Sequence, residues 1–223
     1  LKPDILVLLG DRGEVLSAAI AAVELNIPIA HILGGDLAGN RDGNRIHAIT
    51  KLSHIHFPST KKARQNIIRM GEDPSKVFLT GCPSIDLIKN TKLKISNSLI
   101  NKLQGVGDPI NFSQDYLILL QHPVTTEYGD GLNQITKTLQ AISKLKKKIQ
   151  VIGLWPNPDA GSDDISKGIR ILRENKNSFK MRFFRNFAPE DFLKILNNSS
   201  CIVGNSSAGI RESSFMGVPS VNI

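Results

Sequence analysis

The sequence predicts an α/β protein of two domains built on parallel sheets covered by helices. Three observations carry that prediction. Apolar runs of strand length recur between segments of helical spacing. Those runs are continuous instead of alternating, the pattern of strands buried on both faces. The alternation also pauses once, over residues 90–115, where NTKLKISNSLINKLQGVGDPINFSQD is rich in Asn, Ser, Gly and Lys and reads as a domain junction. We set the boundary there, with 1–94 as the later part of a first domain and 95–223 as the earlier part of a second.

In chain order, ILVLLG (5–10) is the first strand. GEVLSAAIAAVELN (13–26) comes next as a helix, since Val15, Ala18, Ala19, Ala22 and Val23 fall at helical spacing and Pro28 stops it. PIAHIL (28–33), IHFPS (55–59) and VFLTG (77–81) read as the next strands, and beyond the junction YLILLQH (116–122), QVIGLWP (150–156), MRFFRN (181–186) and CIVG (201–204) continue the series. KLKKK (144–148) closes a helical segment, where lysines complement the helix dipole and stay solvated. GIRESSFMG has helical spacing and ends on Gly217, a natural C-cap ahead of Val218 and Pro219. There is no initiator Met, Leu1 falls just before a strand pattern, and VPSVNI resembles a strand just beginning. Both ends therefore read as truncated, and the 223-residue chain is expected to lack activity by itself.

The composition, 40% hydrophobic and 5% aromatic, fits a soluble α/β protein. A net charge of +8 favours an anionic partner. Its densest run has no interleaved aromatic residues, which argues against single-stranded nucleic acid, and no stretch is long and apolar enough for a bilayer. Neither nucleic acid nor membrane is an expected partner. The lone cysteines Cys82 and Cys201 suggest a reducing compartment, and no signal segment is visible, so the cytoplasm is the expected location.

Ligands of open parallel sheets collect at the carboxyl ends of the strands. Here those ends carry Gly10-Asp11-Arg12, Gly34-Gly35-Asp36, Gly81-Cys82-Pro83, His122-Pro123, Pro156-Asn157 and Gly204-Asn205-Ser206-Ser207. So many polar exits point to a ligand cleft between two Rossmann-like domains. GNSSAGIRES (204–213) reads as a strand-to-helix turn whose orphan N–H groups and hydroxyls suit a phosphate, although for this turn taken alone a mere helix cap by Asn205 or Ser206 is the preferred reading. An Asp at a strand end, such as Asp11, is as consistent with capping as with catalysis, and His122 before Pro123 fits an ordinary loop. His47, His54 and His56, with no Cys or placed carboxylate beside them, read as core histidines instead of a zinc set. Neither metal nor cofactor is expected.

Taken together, GDR (10–12), HILGGDLAG (31–39), HAITKLSHIHF (47–57), TGCPSID (80–86), QHPVTTE (121–127), PNPDAGS (156–162) and GNSSAGIRES resemble the UDP-N-acetylglucosamine 2-epimerase family, nearest its hydrolysing branch that feeds sialic-acid-type sugar synthesis. The resemblance implies the GT-B arrangement of two Rossmann-like domains facing each other, with UDP held mainly by the second. It implies a UDP-sugar as partner and, at full length, a homo-oligomer. The implied reaction removes the C2 proton, expels UDP from C1 to leave a glycal, and adds water to give the free manno-configured sugar. Such chemistry needs an acid–base set and stabilisation of the departing diphosphate.

By resemblance, Asp11, Asp36 and Asp42 supply carboxylates and His122 faces them from the second domain. Arg12 either orients Asp11 or meets the substrate's charge. Asn157 contacts the nucleotide side, Ser206 and Ser207 hold the diphosphate at a helix start, and Glu212, further inside that helix, takes the ribose hydroxyls. The chain departs from the family pattern in DGNRIH (42–47), where Gly43 replaces a second carboxylate and Ile46 an arginine. Either Asp42 and Arg45 assume those roles or this copy is impaired. The motif HPVTTE, in place of an HRRE type, separates the chain from the non-hydrolysing epimerases. That enzyme, a GT-B glycosyltransferase and an inactive nucleotide-sugar binding protein are the alternatives.

Overall fold

The computed structural model describes residues 3–37, 41–145, 149–157, 160–174 and 180–223. The chain divides into two compact units, Leu1–Pro83 and Ser84–Ile223. The division falls before the expected 94/95 because the helix at Pro83–Asn90 is tied to the second unit. Ile88 is buried, the Lys89 ammonium lies 6.0 Å from the centre of the Phe215 ring, and Asn198 Nδ2 donates to the Leu93 carbonyl.

The first unit holds a parallel sheet in the order β1 (Leu6–Leu9), β2 (Ile29–Ile32), β3 (Ile55–Phe57). Helices α1 (Gly13–Glu24), α2 (Arg41–Leu52) and α3 (Lys61–Arg69) alternate with the strands. The alanines of α1 let it lie close to the sheet: Ala19 and Ala22 pack with Leu8, Ile29 and Ile49 into one apolar cluster. Thr60 caps α3 by accepting from the Ala63 amide. Two expectations fail here. VFLTG does not form a strand; only Val77 bridges to His56, and Phe78 and Leu79 are exposed. Pro58, next after β3, has no N–H to extend a ladder. The first strand is also not buried on both faces, with Val7 57% and Leu9 55% exposed on the edge of the sheet.

The second unit carries helices α4 (Pro83–Asn90) and α5 (Asn97–Lys102) before its sheet. The strand order is β4 (Val106–Gly107), β7 (Met181–Phe184), β6 (Gln150–Leu154), β5 (Tyr116–Leu120), β8 (Cys201–Gly204), β9 (Ser220–Asn222). All neighbours are parallel except β4, a short antiparallel strand that the polar junction sequence concealed. On one face α6 (Gly131–Ser143) and α7 (Ser162–Glu174) enclose Leu117, Leu119, Ile135, Leu139, Ile165 and Ile169. On the other, α8 (Pro189–Asn197) covers Tyr116, Ile118 and Ile152, and the Tyr116 hydroxyl donates to the Ile195 carbonyl. Burial on both faces explains the unbroken apolar run of β5, every residue of which is buried.

The connections from β5 run outward through β6 and β7, then return across β5 to β8. The strand order therefore reverses between β5 and β8, and at such a switch point the loops part to leave a crevice. Among the described residues no helix is long and apolar enough to cross a membrane.

Candidate active site

In the first unit, β1 turns at Gly10, φ +76°, into half-buried Asp11. The N-cap of α1 is Arg12 and not Asp11, so Asp11 does not occupy the capping position. Arg12 is exposed and its Nε pairs with the Glu14 carboxylate, whose pKa that hydrogen bond lowers. After β2 the chain passes through Leu33 and Gly35, both with positive φ, to half-buried Asp36. Asn66 Nδ2 donates to the Gly35 carbonyl and fixes that turn against α3.

Helix α2 brings Arg45 to the same region, since a Cβ at Gly13 would lie 3.7 Å from Arg45 Nη1. Ile46, where the family pattern has arginine, is 4% exposed and points into the core. The one-residue offset thus leaves a guanidinium beside the start of α1. Gly43 is buried within the helix, and the side chain of Asp42, in its first turn, lies outside the described residues. Of the histidines read as core residues only His56 is buried, and its Nε2 meets Glu72, which also pairs with Lys51. His54 is exposed, with its Nδ1 accepting from the Ile29 amide, and the buried Nδ1 of half-buried His47 has no hydrogen-bond partner among the described residues. Burial pushes the His56 pKa down, against the pull of the Glu72 charge.

In the second unit, the switch point gathers three strand exits. His122 follows β5, Asn157 follows β6 and Asn205 follows β8. The His122 amide donates to Asn205 Oδ1 at 2.8 Å, and Asn205 Nδ2 donates to the His122 carbonyl at 2.9 Å. The Asn157 amide donates to His122 Nδ1 at 3.3 Å. A neutral ring then carries its proton on Nε2. Gly204 makes this possible. At φ +148° its Cβ position lies 1.8 Å from the Leu120 carbonyl oxygen, so no side chain fits where β8 closes on β5.

The segment after β8 is not the single helix expected. Residues Ser207–Gly209 form a 3-10 turn capped by Ser206, whose Oγ accepts from the Ala208 amide. The α-helix α9 (Glu212–Met216) starts only at Glu212 and ends on Gly217 at φ +72°, the predicted C-cap. Glu212 is therefore the first residue of a short helix, not a residue deep inside a longer one. It is 9% exposed, and its Oε2 is buried without a hydrogen-bond partner among the described residues. Arg211 Nη2 donates to Ser207 Oγ at 2.7 Å. Both serines thus accept within the turn and keep an O–H to donate, beside a guanidinium.

Sequence reasoning missed the clamp of Asn205 on His122 and the contact of Arg211 with Ser207. The first joins residues far apart in sequence; the second had a local signal, since residues 207 and 211 stand one helical turn apart.

The model of the family described as UDP-N-acetylglucosamine 2-epimerase matches residues 1–223. The chain is 37% identical over 221 residues to UDP-N,N'-diacetylbacillosamine 2-epimerase (hydrolyzing) of Legionella pneumophila, covering 99% of this chain and 56% of that protein. It is 32% identical over 223 residues to UDP-N-acetylglucosamine 2-epimerase of Neisseria meningitidis, covering all of this chain and 56% of that protein. The chain thus spans little more than half the length of these relatives. Among solved structures, the UDP-GlcNAc 2-epimerase of Methanocaldococcus jannaschii in complex with UDP-GlcNAc and UDP superposes with a TM-score of 0.78 at 22% identity, over 99% of this chain and 60% of that one. That likeness is one of fold, the GT-B class of two Rossmann-like domains.

Proposed function

The chain belongs to the UDP-N-acetylglucosamine 2-epimerase family, and from that premise we propose that it is part of a hydrolysing 2-epimerase acting on a UDP-2-acetamido sugar. The observation that carries the nucleotide half is Glu212. A buried carboxylate oxygen without a donor among the described residues costs free energy that a ribose hydroxyl would offset. Ser206 and Ser207, with hydroxyl protons still to donate, and the neighbouring Arg211 suit a diphosphate. Asn157 contributes its amide to His122 and lies on the same crevice.

Asp11, Asp36, Asp42 and His122 form the acid–base set in this reading. One of them removes the C2 proton; the C1–O bond to UDP breaks with its electron pair leaving on the diphosphate; the glycal then takes a proton at C2 and hydroxide at C1. Water, proton and sugar balance as the free 2-epimer plus UDP. In its neutral form His122 offers an Nε2–H hydrogen bond to charge that develops on the substrate, it gives a proton only after the ring has itself been protonated, and the carboxylates are suited to take the C2 proton. Arg12 and Arg45, at the start of α1, supply positive charge near Asp11. The name of the Legionella relative favours a diacetamido sugar nucleotide over UDP-GlcNAc.

The test is incubation of the full-length protein with UDP-GlcNAc and with UDP-N,N'-diacetylbacillosamine in D2O. Release of UDP with a free sugar of inverted C2 carrying deuterium is the expected result. A UDP-linked epimer without UDP release would assign the non-hydrolysing reaction. Binding of the sugar nucleotide with no turnover would leave a binding protein.

A further inference from the structure

The described core holds a histidine to which the reaction scheme gives no part. His31, in the middle of the three-stranded sheet, is fully buried. Its Nε2 lies 2.9 Å from the Gly10 carbonyl, and its Nδ1 lies 3.2 Å from Thr50 Oγ1, whose single proton is also within reach of the Ile46 carbonyl. The Gly10 oxygen can only accept, so Nε2 bears the proton and the Thr50 hydroxyl sits between Ile46 and Nδ1. Burial lowers the pKa of the ring and keeps it neutral.

The ring also supports the next loop. A Cβ at Gly34 would stand 2.8 Å from His31 Nδ1 and 3.0 Å from Thr50 Oγ1, so the Gly34 backbone lies directly against the imidazole–hydroxyl pair. One side chain therefore touches the residue before Asp11, the segment that leads to Asp36, and the helix that carries Arg45. The first two of these segments turn at Gly10 and at Leu33 and Gly35, all at positive φ, so the chain there has little stiffness of its own.

We propose that His31 is a positioning residue: its Nε2–H holds the Gly10 carbonyl while its ring backs Gly34, so that one buried imidazole sets both Asp11 and Asp36. This rests on the reading of those two aspartates as acid–base groups. Reacting groups displaced by about 1 Å lose on the order of a hundredfold in rate, which is why a contact behind the carboxylates matters.

The test compares His31→Asn and His31→Gln in the full-length protein. Gln reaches the position of Nε2 and still donates to Gly10; Asn stops short at the position of Nδ1. In His31→Asn, amide hydrogen exchange is expected to accelerate by at least roughly tenfold at residues 10–12 and 34–36 but not in β3 or α3. Its kcat for UDP release is expected to fall about tenfold to hundredfold, with UDP affinity unchanged. His31→Gln restores both. Unchanged exchange at both segments overturns the proposal, and so does an equal loss in both variants with protection falling throughout the first unit, because that marks a residue that merely fills the core. If His31→Asn does not fold, Thr50→Val, which keeps the volume and frees the ring to turn, is expected to loosen the same two segments, and wild-type exchange there overturns the proposal. If the wild-type protein releases no UDP from either sugar nucleotide, the functional reading fails, and the exchange measurement alone decides the role of His31.

Discussion

The carboxamide of Asn205 grips the peptide of His122 from both sides, accepting from its amide at 2.8 Å and donating to its carbonyl at 2.9 Å. It acts as a local substitute for a ladder bond just beyond the point where β5 and β8 part. Asn205→Ala removes both of these hydrogen bonds, and the expected loss of stability is about 1 to 3 kcal/mol by urea unfolding. Asn205→Asp keeps the acceptor and loses the donor, so its loss is expected to be smaller. Equal stability of Asn205→Ala and wild type would show that solvent replaces the clamp.

Gly204 sets up that grip, and its replacement is expected to be more damaging. A Cβ there falls 1.8 Å from the Leu120 carbonyl oxygen at a positive φ. Strain at a special backbone position belongs to the mechanisms behind losses above roughly 4 kcal/mol. Gly204→Ala is therefore expected to lower the urea midpoint more than Asn205→Ala does, or to prevent folding of the second unit; a midpoint within error of wild type would refute the close approach.

Asp11→Asn and His122→Ala in the full-length protein are expected to cut turnover by roughly 10² to 10⁴, the usual worth of a general acid or base. UDP affinity by calorimetry should stay near wild type in both. Wild-type rates in both variants would remove these residues from the acid–base set.

Replacing Ser206 and Ser207 together by Ala removes two donors to a charged oxygen, and UDP affinity is expected to fall at least about tenfold while uridine binds as before. Because Ser206 also caps the 3-10 turn, a stability loss of about 1 kcal/mol should accompany it. Equal losses for UDP and uridine would reduce the pair to a structural cap.

Acid should weaken the first unit through His31 and His56, both of which burial pushes below the ordinary value of 6.5. In each case the unfolded chain takes up its proton at higher pH than the folded one. Their contribution is full above about pH 6.5 and is lost as pH falls from there toward the folded-state values. The urea midpoint of the first unit's transition is expected to drop between pH 7.5 and 5.5, with a shallower slope in His56→Gln. A parallel slope in that variant would show that His56 titrates alike in both states.

The sequence by itself determined the alternation of strand and helix, the parallel sheets, the C-cap at Gly217 and the rule that chemistry gathers at strand ends. These are legible because period and turn chemistry are local: a continuous apolar run such as YLILL reports burial on both faces, and a glycine after a helix reports a left-handed residue. Locality also explains the errors. VFLTG has the apolarity of a strand, but Pro58 denies it a ladder, and the 3-10 turn at Ser207–Gly209 divides what helical spacing joined. Only the tertiary structure decided which exits become neighbours. The order β7-β6-β5-β8 places Asn157, His122 and Asn205 together, and the packing of α2 on α1 brings Arg45 to Gly13. The buried contacts of His31 with Gly10, Thr50 and Gly34 come from the same source. Such contacts depend on strand order and register, which are set by the burial of whole sheet faces, and no periodicity within a single segment encodes them.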